Sequence, residues 1–359
     1  MKKILFVTFS ASPYQIELFD YINSLKLISI KVIYLNKITP NRFWKERKIR
    51  HEHSFELSRK ISSELSTWES NADLLVVTYY NNPIALKLIN IRIARKMPLV
   101  LWGERPGFSY PFLGKIYRNW VLKKFHKSKK PIWGIGNFGV SGFKKEFGLD
   151  RKYFNIPYYS NLQRFSDQLK CSNSNSQRII LFSGSLIKRK GVDLVAKAFL
   201  NVAQRHHNIS LHILGVGPLK DYLETTLSCL IDRVKFYGFK DWDDLPGIYS
   251  KADILCVPSR YDGWGLVVPE GLASGLPVIC TNRMGSQELI SNDYNGWILP
   301  ANSQMAIEHA IERIATMSDE ILKELASNAK ASIREHSLHN GAFKIIDTCL
   351  ENISNNILI

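Results

Sequence analysis

Cysteine is scarce in this chain. There are five in 359 residues, at Cys171, Cys229, Cys256, Cys280 and Cys349, an odd number with wide spacing and no CxxC pair. That argues against a disulfide framework or a cysteine zinc site and for a reducing compartment. No apolar stretch approaches the ~20 residues a bilayer-crossing helix needs. The opening Met1-Lys2-Lys3 and apolar Ile4–Phe9 are too short for a signal peptide and lack a small-residue cleavage site, so they read as a buried first strand. The nine histidines show no metal-ligand spacing, and His51-Glu52-His53 sits in a polar stretch that reads as solvated. Gly215-Val216-Gly217 lacks the third glycine of the dinucleotide fingerprint.

Acidic residues are short in one half only. Residues 1–170 hold 30 Lys+Arg against 12 Asp+Glu, and the remainder holds 18 against 20, so +18 and −2 give the net +16. The asymmetry points to an anionic partner for the first half: nucleic acid, a lipid surface or a phosphorylated substrate. Composition is otherwise that of an ordinary globular chain, 45% hydrophobic and 22% charged. The length exceeds one hydrophobic core and suits two domains.

Short apolar runs alternate with amphipathic ones. Strands are predicted at Ile4–Phe9, Ile28–Leu35, Leu74–Tyr79, Leu99–Trp102 and Ile132–Gly136, with helices such as Tyr14–Asn23 and Ile84–Lys96 between them. The Ser/Asn-rich run Gln168–Gln177 reads as a linker. A second series follows, with strands Ile179–Ser183, Leu211–Leu214, Val234–Tyr237, Ile254–Val257 and Val278–Thr281. Its helices are Val192–Gln204, Asp221–Leu230, Met305–Thr316 and Asp319–Arg334. This is an α/β pattern: two similar parallel-sheet domains, 1–167 and 178–339, that face each other across a ligand-binding cleft. A last helix at 340–359 is expected to pack back on the first domain.

Four segments of the second half carry chemistry. Phe182-Ser183-Gly184-Ser185-Leu186-Ile187-Lys188-Arg189-Lys190-Gly191 is a strand, a small-residue turn and three cations before a helix. Free N–H groups and the positive dipole end there suit a phosphate, with Lys190 adding a charge-assisted contact. Taken alone, it also fits a solvated basic loop. Leu214-Gly215-Val216-Gly217-Pro218 is a strand leaving through glycines, a weaker signal that fits any turn. From Pro258 to Val278 a buried strand ends in a glycine-rich turn and a short helix. The amides of Gly263–Val267 form a second anion cradle, and Asp262 and Glu270 bracket it eight positions apart. The fourth segment is Phe236-Tyr237-Gly238-Phe239.

The Asp262–Glu270 region resembles the E-x7-E region of retaining glycosyltransferases of family 4 (glycosyl transferases group 1), and the likeness runs through nearly all of 178–300. The resemblance implies the GT-B fold, two Rossmann-like doubly wound domains. It implies that Glu270 holds the donor ribose, that Asp262 lies near the transferred sugar, and that Gly263-Trp264-Gly265, with Leu266 and Val267, contacts sugar and phosphate through backbone. It makes Lys190 the diphosphate ligand and Gly238-Phe239 part of the base-binding turn. Three departures stand out. Asp262 replaces the usual glutamate. Ser185 stands where the phosphate loop has arginine, with Arg189 or Lys188 as the substitute. Glu104, in Leu99–Gly107, occupies the stretch where many members carry a histidine near the reacting sugar, although it also fits an exposed loop carboxylate.

Ser10-Ala11-Ser12 after the first strand is a possible second phosphate loop. Asp241-Trp242-Asp243-Asp244 imitates a metal motif, but its place between strand and helix suggests an N-cap. No metal or cofactor is expected. Ile116–Lys130 joins a helical apolar stripe to a cationic run. Trp120 and Phe125, with Lys123, Lys124 and Lys127, suggest a face for an anionic membrane or an acceptor; a packed helix with a solvated basic end is the alternative. Arg42–Arg50 is a second basic aromatic stretch.

The reading is a retaining glycosyltransferase at the cytoplasmic face of a membrane, in bacterial surface polysaccharide or lipopolysaccharide synthesis. It would use a nucleotide-sugar donor and a glycan or polyprenyl-diphosphate-linked acceptor, and would bind no nucleic acid. The alternatives are a nucleotide-sugar epimerase of the same fold, a catalytically impaired sugar-nucleotide binder, and a basic nucleic-acid-binding protein, although no nucleic-acid module is recognisable.

Overall fold

A computed structural model describes residues 1–37, 45–106, 111–169 and 177–354. Residues 42–44 of the basic aromatic stretch, Gly107, linker residues 170–176 and 355–359 of the last segment lie outside the described residues. The chain divides into two units, Met1–Asn161 with Leu338–Ile359, and Leu162–Ser337.

In the first unit the apolar runs become seven parallel strands: β1 (Lys3–Ser10), β2 (Ser29–Asn36), β3 (Glu52–Phe55), β4 (Leu74–Val77), β5 (Leu99–Gly103), β6 (Ile132–Gly134) and β7 (Tyr153–Asn155). Their order is β3-β2-β1-β4-β5-β6-β7. Ile4–Val7 and Leu74–Val77 are fully buried on neighbouring strands, the continuous apolar signature of a sheet covered on both faces. The helices Pro13–Leu25 and Pro83–Ala94 start with proline at their first position, where the missing N–H costs nothing. The helix Leu338–Ser354 packs against Pro13–Leu25 and buries Ile345, Ile346, Cys349 and Ile353.

The second unit repeats the plan with β8 (Arg178–Ser183), β9 (Ile209–Leu214), β10 (Val234–Gly238), β11 (Ile254–Cys256), β12 (Val278–Thr281) and β13 (Gly296–Leu299). The order is β10-β9-β8-β11-β12-β13, again all parallel. In both sheets the order reverses beside the first strand, which places a switch point between β1 and β4 and another between β8 and β11. Ligands of doubly wound sheets bind at the strand C-termini there.

Three sequence expectations need correction. The domain boundary drawn at 167 falls at 161, because Leu162 and Phe165 are buried in the second unit's core, with Phe165 5.2 Å from the Tyr249 ring. His51-Glu52-His53 is exposed at Glu52 but is not solvated as a whole. It enters β3, and the His51 ring is buried between Asp20 (2.6 Å) and the Tyr34 hydroxyl (3.0 Å). The helix expected over Asp221–Leu230 covers Lys220–Thr226 and then tightens into a 3-10 turn.

Candidate functional site

β8 and β11 are hydrogen-bonded neighbours, so the loops leaving their C-terminal ends emerge side by side. These are the two loops singled out for charge and glycine, and the structure ties them together strand by strand. The Arg260 N–H donates to the Arg189 carbonyl (2.8 Å), and the Arg189 guanidinium donates to the Tyr261 carbonyl (2.9 Å). The Arg260 side chain grips Asp193, in the first turn of the helix Val192–Ala203, through two bonds of 2.7 and 2.8 Å, and it also reaches the Lys188 carbonyl. With this frame fixed, the Lys190 ammonium bonds the Asp262 carboxylate, and Arg189 stands 4.0 Å from the same carboxylate. Ser185 is exposed at the turn's apex. Lys188 enters this frame through its backbone, so Arg189 is the cation that comes to Asp262.

After Asp262 the chain turns through Gly263-Trp264-Gly265 into the helix Val267–Ala273. Gly265 takes φ +92, and a Cβ there would stand 2.6 Å from the Met284 methyl, so only glycine fits without displacement. The turn is backed by the segment after β12. The Gly285 N–H donates to the Asp262 carbonyl (3.1 Å), the Ser286 N–H to the Trp264 carbonyl (2.9 Å), and the Ser286 hydroxyl to the Gly265 carbonyl (3.0 Å). With the carbonyls held from behind, the amides of Gly263 to Val267 donate to no backbone carbonyl among the described residues. Such a row of N–H groups at a helix start suits an anion. The Trp264 indole is buried and stacked on His336 (5.7 Å), so this residue can meet a ligand only through its backbone.

Glu270 lies one turn into that helix and is 2% exposed. Its carboxylate accepts from the Tyr249 hydroxyl (3.3 Å), and the helix is capped behind it by Ser274 bonding the Glu270 carbonyl (3.0 Å). Burial, and then the Glu270 charge, push the Tyr249 phenol well above its ordinary value, so the tyrosine stays a donor. Ser183, the last residue of β8, is also bonded to Tyr249 and links the carboxylate to the phosphate-loop strand.

The glycine turn after β9 closes on the same loop. The Gly215 N–H donates to the Gly238 carbonyl (2.9 Å), and a Cβ on Gly215 would lie 1.9 Å from the Gly184 carbonyl oxygen. A Cβ on Gly238 would meet nothing within 4 Å, and Phe239 is exposed just after β10.

The family model of Glycosyl transferases group 1 matches residues 166–332, the whole of this frame. That match takes in a little under half of the chain. An uncharacterised glycosyltransferase of Methanocaldococcus jannaschii is 34% identical over 165 residues, 45% of this chain and 41% of that protein. The matched stretch thus spans less than half the length of such curated relatives. Among solved structures, the HepE protein of Anabaena, in complex with UDP, superposes with a TM-score of 0.76 at 18% identity, over 98% of this chain and 100% of that one. WaaG, a glycosyltransferase involved in lipopolysaccharide biosynthesis, gives 0.68 at 18%, over 96% and 99%. At such identities the likeness shows the fold, which is GT-B, with two doubly wound parallel-sheet units.

Outside the group 1 segment, the structure sets Ser10 and Ser12 at the C-terminal end of β1. The Ser12 hydroxyl is bonded to the Gln15 side chain (3.0 Å), which itself bonds Thr8 (3.0 Å), leaving mainly backbone to meet a ligand. Glu104 follows β5 and is hydrogen-bonded to the Tyr158 hydroxyl, which also meets Tyr14. Burial, then those two neighbours, push the Tyr158 phenol well above its usual value. Asp244 takes the N-cap position of Leu245–Tyr249 but makes no side-chain cap bond, and Asp243 lies 4.0 Å from Arg164. Among the described residues no three His, Cys, Asp or Glu side chains group as metal ligands would. Trp120 and Lys123, Lys124 and Lys127 are exposed, whereas Phe125, expected beside Trp120, is fully buried against Phe147 and the Arg151 guanidinium.

Tyr249, Asp193 and the Met284–Ser286 backing carry the site's geometry without any mark in the sequence, and Ser183 and Arg260 lie in the marked segments but gain their roles only from distant partners. Only their long-range partners reveal them.

Proposed function

We propose that this protein is a glycosyltransferase that moves a sugar from a nucleotide-sugar donor to an acceptor with retention of anomeric configuration and without a metal. The observation that carries this is the joining of Lys190, Arg189, Asp262 and the Gly263–Val267 amides at the switch point of the second sheet, with Glu270 buried beside them. Breaking a glycosyl–phosphate bond puts negative charge on the leaving diphosphate. The amide row offers it donors already fixed in place, and Lys190 and Arg189 add cations once the lysine leaves Asp262. The Asp262 carboxylate is paired with Lys190 and Arg189, two cations that could carry diphosphate charge in place of a metal, which supports the metal-independent reading. Glu270, positioned by Tyr249, suits the paired hydroxyls of the donor ribose. The likeness to a UDP-bound structure supports a nucleotide-sugar donor. Asp262 and Glu104 are the candidate groups for the transferred sugar and the acceptor.

The finer reading places the acceptor on a glycan or a polyprenyl diphosphate, and the work at the cytoplasmic face of a membrane, in surface polysaccharide or lipopolysaccharide synthesis. Likeness to WaaG supports it.

The test is a thermal-shift series with UDP, GDP, ADP, CMP and dTDP on the parent chain and on Lys190→Ala and Glu270→Ala. A ligand that binds only the folded state raises its melting temperature. A rise with one base, weakened by both substitutions, is expected. No response to any nucleotide would overturn the donor site.

A further inference from the structure

We propose that the outward face of the helix Pro111–Val121 is a docking surface for an anionic lipid bilayer. This deepens the membrane reading above by naming the residues that touch the partner. It draws only its purpose from that reading, because bilayer binding is measured without any transfer.

The helix is inside out for a soluble protein. Leu113, Ile116, Tyr117 and Trp120 fall at i, i+3, i+4 and i+7, one face of the helix, and that face is turned to solvent. Leu113 is 68% exposed, Ile116 53% and Trp120 75%. Of the helix's two charged residues, Lys115 is exposed and Arg118 faces inward. Arg118 is buried and held by both oxygens of Glu146, at 2.6 and 2.8 Å. The next apolar residues, Leu122 and Phe125, are buried and anchor the segment to the core of the first unit. The stripe is therefore not core left uncovered, since the segment already has a packed inner face. A contiguous exposed apolar stripe of this kind marks an interaction site.

Charge complementarity names the partner. Between Arg105 and Lys145 the chain carries ten Lys or Arg and neither Asp nor Glu. Lys123, Lys124 and Lys127 follow Trp120 by three, four and seven residues, all exposed, and Lys115 lies within the stripe. None of these four is in an ion pair among the described residues. Apolar residues with a large aromatic, ringed by unpaired lysines, are the composition of a helix lying in a headgroup layer. The rings sink into the acyl boundary while the ammonium groups meet lipid phosphates. Each such lysine adds to the attraction toward an anionic surface. A protein partner would have to supply carboxylates and an apolar pocket in register with both, whereas an anionic bilayer supplies charge and apolar depth together.

The test is co-sedimentation of the whole chain with phosphatidylcholine vesicles, pure or mixed with phosphatidylglycerol. Binding to mixed vesicles is expected, at least tenfold weaker to pure phosphatidylcholine and weaker again in high salt. The triple variant Leu113→Ser, Ile116→Ser, Trp120→Ser is expected to lose at least tenfold in affinity for mixed vesicles, as is Lys123→Glu, Lys124→Glu, Lys127→Glu. An unchanged melting temperature shows that both variants fold. Equal vesicle binding by the apolar variant, or no binding by the parent, would overturn the proposal. A dimer that the apolar variant dissolves would overturn it too, giving the stripe to a second copy. The nucleotide response is read separately on the same samples. Vesicle binding with no nucleotide response sustains the surface and sinks the donor reading; the reverse sinks only the surface.

Discussion

Lys190 and Asp262 are bonded to each other across two loops that belong to neighbouring strands, with Arg189 4.0 Å from the same carboxylate. An arriving diphosphate therefore competes with Asp262 for the lysine, and the carboxylate released is the one expected to face the transferred sugar. Asp262→Asn is expected to tighten nucleoside diphosphate binding by up to about tenfold, the scale of one charge-assisted contact, while cutting transfer by about a hundredfold or more. Lys190→Ala is expected to weaken binding by about ten- to a hundredfold. Titration calorimetry reads both, and weaker binding by Asp262→Asn would rule out the competition.

The buried Tyr249 holds the Glu270 carboxylate through its hydroxyl (3.3 Å). Tyr249→Phe removes one hydroxyl from a buried carboxylate and is expected to cost about 1 kcal/mol of stability. It should also raise the donor KM several-fold with little change in kcat, because the carboxylate binds ribose rather than reacting. A stability loss with an unchanged KM would reduce Tyr249 to packing.

Gly215 and Gly247 make a matched pair of alanine substitutions. At Gly215 the new methyl meets the Gly184 carbonyl in a backbone conformation of positive φ, so Gly215→Ala is expected to destabilise the second unit by about 1–3 kcal/mol and to impair nucleotide binding. Gly247 sits in a short helix with nothing near its Cβ position, so Gly247→Ala is expected to be neutral or stabilising by up to about 1 kcal/mol. Urea melts of the two distinguish close approach from a general intolerance of alanine.

Acid is expected to weaken the fold. Burial lowers the pKa of His51 despite its bond to Asp20, lowers His126, and lowers His212 to about 4 with help from Lys235 and Lys251. The unfolded chain takes up protons near pH 6.5 that these folded rings refuse. Their contribution is complete above about pH 6.5 and is lost as pH falls toward 4, the range set by His212. For His212 alone the loss is at most ~3 kcal/mol, reduced by solvent because the ring is only part-buried. Denaturant melts at pH 7.5 and 5 should show the fall, and His212→Gln should flatten it. A stability that is flat across that range would contradict these placements.

Much of this was legible because it is local. The strands fully enclosed on both faces, such as Ile4–Val7 and Leu74–Val77, are continuous apolar runs, and the site's cations, glycines and carboxylates lie in two short segments. β3, Glu52–Phe55, escaped because an edge strand can be polar, and here its neighbours Lys31 and Tyr34 on β2 supply the pairing. Tyr249 and Ser286 were invisible because their value comes from partners 21 residues away in each case. Periodicity gives an apolar stripe without saying which way it points, and it hides the break at Leu122 that puts Phe125 on the next short helix, Lys123–Ser128, away from Trp120. Arg118, turned inward to Glu146, decides the direction.

The first unit is made of two separated stretches, and the helix Leu338–Ser354 that completes it comes after every residue of the second. On the ribosome the second unit, contiguous from 162 to 337, can close while the first still lacks the helix that covers Pro13–Leu25. The domain translated first is therefore the last to be finished, and until then the apolar side of its opening helix waits for a partner more than 300 residues downstream.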